Sequence, residues 1–100
     1  MSEQAWRQTG RTTDMIRRAQ EASNAGLAVC VLFADQNAVR TWRGKLSGNV
    51  LVADVRDARR IHGHSFDALF VDHAAWENHL FDTASMVRAI ASRMNPGSMR

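Results

Sequence analysis

Three short apolar runs interrupt an otherwise mixed chain: Leu27 to Ala34 (LAVCVLFA), Asn49 to Asp54 (NVLVAD) and Asp67 to Asp72 (DALFVD). Each is rich in β-branched or aromatic residues, too short for a buried helix, and apolar continuously rather than alternately. Strands covered on both faces read this way, because neither face meets water. Helical spacing fills the intervals. Thr13 to Ala25 sets Ile16, Ala19, Ala22 and Ser23 on one face and Arg17, Arg18 and Glu21 elsewhere. Thr12 or Thr13 suits its N-cap, Asp14 its positive end, and Gly26 a left-handed stop. Gln36 to Leu46 predicts a second helix, with Val39, Trp42 and Leu46 in apolar register and Gly48 beyond. From Ala74 the chain reads as helix again, and a stripe of Ala84, Val87, Ala91 and Met94 ends before Pro96.

The order helix–strand–helix–strand–strand–helix predicts an α/β domain. Its sheet should be small, mainly parallel and three- to four-stranded, with right-handed crossovers placing helices on both faces. Residues 1–95 form the expected single domain and 96–100 a flexible C-terminal tail.

Composition agrees with a folded chain: 45% of the 100 residues are hydrophobic and 23% charged. No apolar run reaches the roughly 18–20 residues of a membrane helix. The opening "MSEQAWRQ" lacks the apolar core of a secretory signal, so a cytoplasmic location is expected. A net charge of +3 is compatible with a polyanionic partner. Cys30 lies inside an apolar run and reads as a small buried hydrophobe.

Candidate chemistry begins at Gly10-Arg11-Thr12-Thr13, at the mouth of the first predicted helix. A phosphate loop aims backbone N–H groups from a helix N-terminus at the phosphates, with a lysine and a hydroxyl beside them. Together with "GLAVCVLFAD" and "FDALFVDHAAWEN", this segment resembles a small, degenerate P-loop NTPase domain, similar to helicase-like and phage-encoded proteins. The resemblance implies that Gly10, Arg11, Thr12 and Thr13 cradle the phosphates of ATP or GTP and that Asp72 holds magnesium. Arg11 stands where the family has lysine, Gln8 where it usually has glycine, and His73 where it has the water-orienting glutamate. Phosphoryl transfer depends on positioned charge, so these departures imply binding without efficient turnover. The expected function is therefore a non-catalytic accessory or interaction protein on this scaffold. Phage or mobile-element origin and a protein or nucleic-acid partner go with it. The alternative is a minimal nucleotide-binding domain whose hydrolysis is weak or absent. A phage protein of this kind would work in the bacterial host cytoplasm.

Other features are weighed beside these. "RTWRGK" interleaves Arg40, Arg43 and Lys45 with Trp42, as surfaces for single-stranded nucleic acid or a partner do. The same pattern fits an amphipathic helix that buries Trp42 under wet cations. Asp35 should share the strand-end rim with Asp72. His62, His64, His73 and His79 lack metal-ligand spacing. Trp76 and Phe81 read as core. The methionine-bearing C-terminal stripe and the open edges of a small sheet point to partner docking or a homodimer.

Overall fold

The computed structural model describes residues 2–61 and 63–94, with backbone alone for 2–11 and 58. Eight elements follow in chain order: α1 (Ser2–Asn24), β1 (Val29–Phe33), α2 (Gln36–Arg43), β2 (Val50–Asp54), α3 (Ala58–Ile61), β3 (Ala68–Val71), α4 (His73–Asn78) and α5 (Leu80–Ala91). The strands form one open sheet in the order β2-β1-β3. Both pairings are parallel, with Val29 opposite Val50 and Ala68, and Leu32 opposite Ala53 and Val71. The expected α/β class and parallel sheet are therefore present, with three strands.

The central strand explains the layering. All five residues of β1 are buried, and alternate side chains enter opposite cores, as a pleated strand requires. Val29, Val31 and Phe33 pack with Ile16 and Ala19 of α1, Val39 of α2 and Val52 of β2. Cys30 and Leu32 pack with Ala53, Val55, Ile61, Phe66, Ala75, Met86 and Ile90 on the other side. Helices thus cover both faces.

Local signals account for the helix ends. Gly26 adopts φ +93°, Gly26 N–H donates to Ser23 O (3.0 Å) and Leu27 N–H to Ala22 O (3.1 Å). This pair of bonds is a Schellman stop, which favours the residue without a Cβ. Asp35 caps α2 by accepting from Ala38 N–H at 2.9 Å. Where α4 meets α5, the buried Thr83 hydroxyl donates to the Ala75 carbonyl at 2.9 Å.

Several boundaries differ from the sequence expectation. The first helix begins at Ser2, far upstream of Thr13, because Thr12 and Thr13 continue the helix instead of capping it. The second ends at Arg43, before Leu46. A short helix, α3, lies between β2 and β3 where none was read. The C-terminal helix is broken at His79, whose φ of −140° is not helical. Its buried positions are Thr83, Met86 and Ile90, with Val87 and Met94 packed against that core. The proposed tail, 96–100, lies outside the described residues.

Candidate functional site at the carboxyl rim of the sheet

In an open parallel sheet the binding crevice lies outside the carboxyl ends of the strands, where successive crossovers leave in opposite directions. Here the chain passes from β1 to β2 on one side and returns to β3 on the other. The crevice position is therefore between the ends of β1 and β3. Each apolar run delivers an aspartate to this rim: Asp35 after β1, Asp54 at the end of β2 and Asp72 after β3.

The rim is closed by bonds within the fold. Asp72, 8% exposed, accepts a hydrogen bond from the Thr12 hydroxyl at 2.8 Å. Its own backbone N–H donates to Leu32 O at 2.9 Å, fixing the end of β3 against β1. Asp54, 5% exposed, accepts from Gln36 Nε2 and from Arg56 N–H, both at 2.7 Å. Buried carboxylates require such donors, because desolvation is costly without them. The exposed Asp35 carboxylate serves as the cap of α2. Beside Asp72, His73 Nε2 and Glu77 pair at 2.6 Å along α4.

Gly10 through Thr13 reach the same rim by an unexpected route. They lie inside α1, so their amide N–H groups face carbonyls within the helix rather than a ligand. The segment continues a helix already running from Ser2, so it forms no strand-to-helix turn. Sequence reading brought Thr12 and Asp72 to one rim, and the structure bonds them directly. The side chain of Arg11 lies outside the described residues. Asp54 and Gln36 were not singled out; the recurrence of aspartate at the end of every apolar run was the available signal. No group of three metal-ligating side chains occurs among the described residues.

Further along α1, the Arg17 guanidinium bonded to Asp14, with Arg18 close by, holds the Asp14 carboxyl below its ordinary range. The same partner raises Arg17. Both side chains are well exposed, so this belt contributes little to stability. Burial pushes the Cys30 thiol up to about 12, the mark of an inert core sulfur rather than a nucleophile.

The second candidate surface is on α2. Arg40 and Arg43 are exposed, while Trp42 is half-buried against the core of Val39 and Phe33. Lys45 Nζ sits 4.8 Å from the centre of the Trp42 ring, a cation–π contact that covers a face of the indole.

A third surface overturns an expectation. Trp76 and Phe81 are not core: Phe81 is 88% exposed, Leu80 59% and Trp76 37%. Trp76 lies in α4, and Leu80 and Phe81 open α5 just past His79. The break at His79 turns the chain, and the buried places that helical phase offers to α5 go to Thr83, Met86 and Ile90.

Comparison with known proteins adds one finding. Residues 10–72 match the Acb5 phage protein family. The chain belongs to the Acb5 phage protein family. The matched segment runs from Gly10 through all three strands to Asp72, so it contains both partners of the Thr12–Asp72 bond. No curated protein and no solved structure matches. Membership bears out the phage part of the sequence reading. No helix among the described residues is long and apolar enough to cross a membrane.

Proposed function

We propose that this Acb5 family protein is a non-catalytic phage accessory protein that acts by docking a protein partner on the α4–α5 corner. The observation that carries this reading is the exposure of Phe81, and of Leu80 and Trp76, on the two helices that meet at His79. Contiguous exposed aromatic and aliphatic side chains mark interaction sites, and aromatic anchors dominate interface energetics. Glu77 and Asp82 border the patch, so the partner should offer an apolar pocket with basic groups at its rim. The carboxyl rim supports the same reading from the other side, since Asp72 and Asp54 accept their hydrogen bonds from within the fold.

The P-loop-like scaffold and its ATP or GTP site are the weaker alternative. Against them stands the helical conformation of Gly10 to Thr13. Asp72 as a magnesium ligand would have to exchange its bond from Thr12 for the ion. Single-stranded nucleic acid at Arg40, Trp42, Arg43 and Lys45 has one observation in its favour, the exposed cations of α2. Its stacking platform is occupied by Lys45 on the face where the two meet.

The test is recovery of complexes from phage-infected cells with the unaltered chain and with Leu80→Ser/Phe81→Ser. The docking reading expects a partner in fixed stoichiometry that the double variant loses. Equal recovery by both chains would refute it. Binding that instead weakens with salt and with Arg40→Gln/Arg43→Gln would favour nucleic acid.

A further inference from the structure

A groove of about 600 Å³ lies beside the edge strand β2. One wall is α5, which presents Asp82, Ser85, Met86 and Ala89, with Arg93 in the turn just past its end. The four helical positions follow helical spacing and cover about 10 Å of one helix face. The other wall is Val55 and Arg56, just past β2, with Ile61 at the end of α3. The reason for the opening is visible in the chain. The crossover from β2 to β3 carries only the four-residue α3, too short to cover the flank of β2 as a full crossover helix would.

The lining has two zones. Val55, Ile61 and Met86 are 2%, 5% and 5% exposed and form an apolar floor. Arg56, Asp82, Ser85 and Arg93 are exposed on the rim. Two cations thus oppose one carboxylate. Among the described residues neither the Arg56 nor the Arg93 guanidinium enters an ion pair, whereas Arg17, Arg18 and Arg60 all do. Small-molecule sites combine this volume, a largely apolar lining and a few placed polar groups. Guanidinium is the side chain best suited to hold a carboxylate, sulfonate or phosphate.

We propose that this groove binds a small amphipathic organic anion. Its ring-sized apolar body lies on Val55, Ile61 and Met86, and its acidic group is held by the rim arginines. The site adjoins the docking corner at Asp82 but differs from it, because Phe81, Leu80 and Trp76 are not among its walls.

Anilinonaphthalene sulfonate is the probe, with its uncharged counterpart phenylnaphthylamine as the control. The folded chain should bind the sulfonate saturably at one site and shift the Met86 methyl resonance. Arg56→Gln/Arg93→Gln should weaken binding by about tenfold or more, and the uncharged probe should be weaker by a similar factor. Ala89→Trp, which fills the groove from its exposed wall, should abolish binding while thermal unfolding remains cooperative. If that variant fails to fold, Ser85→Phe serves the same purpose. Phe81→Ser should leave binding unchanged, which separates this site from the docking corner. The proposal is overturned if no saturable binding occurs. It is equally overturned if the groove-filling variant binds normally, if the arginine pair changes affinity less than twofold, or if Phe81→Ser abolishes the signal.

Discussion

Replacing Thr12 with valine tests the bond that ties the two ends of the family-matched segment together. The Thr12 hydroxyl donates to Asp72 at 2.8 Å across 60 positions of sequence, joining α1 to the carboxyl end of β3. Valine keeps the side-chain volume and the β-branch, so helix propensity barely changes and the lost donor dominates. A hydrogen bond to a charged group contributes about 1.5–3 kcal/mol. Thr12 is half-buried, so water can replace part of the bond and the lower end applies, about 1.5 kcal/mol. For a domain of this size that lowers Tm by roughly 6–12 °C. Urea unfolding of Thr12→Val, Asp72→Asn and the double variant supplies the cycle, with a coupling energy of about 1 kcal/mol expected. A Thr12→Val stability within about 0.5 kcal/mol of the unaltered chain, or no coupling, would refute the clasp.

Phe81→Ser should change unfolding free energy by less than about 0.5 kcal/mol, because an 88% exposed ring loses little on truncation; a large drop in urea midpoint would show that Phe81 packs. Gly48→Ala should destabilise by about 1–3 kcal/mol, since Gly48 has φ +85° and an added Cβ would strike the Ser23 hydroxyl. Gly26→Ala, with φ +93° and open space around it, should cost only the left-handed strain, about 1 kcal/mol; equal costs at the two sites would contradict the close approach. Cys30 should resist disulfide-exchange reagents until the chain unfolds. Its thiol is raised from 9.0 to about 12 in the fold, so the unfolded state releases its proton first. Stability is therefore complete below pH 9 and declines towards pH 12, at up to about 1.4 kcal/mol per pH unit. Cys30→Ala should lack that part of the decline in alkaline urea titrations.

The parallel sheet was legible because β1, covered on both faces, can carry no polar residue within its run. Gly26 was legible for a similar reason, as a left-handed stop leaves few alternatives. The start of α1 was not. Gly10 and the paired threonines carry weak local preferences for turns and caps, and helix continuation overrode them. That single boundary decides whether Gly10 to Thr13 precede the helix or lie inside it. Asp72 lies at the rim as its place after an apolar run implied, but the bond it accepts there from the Thr12 hydroxyl, on a helix 60 positions away, carries no signal in the sequence. Trp76 and Phe81 were misread because residue type alone suggested burial. Their exposure depends on the break at His79, where neither glycine nor proline marks a turn.

Docking at the α4–α5 corner is tested most directly by a photoreactive phenylalanine analogue placed at position 81 in phage-infected cells. The same analogue at exposed Asn37, on α2, serves as the comparison. The account predicts one discrete protein adduct from position 81, absent from position 37 and competed by the unaltered chain. Adducts from position 37 alone, or no adduct from position 81, would contradict it.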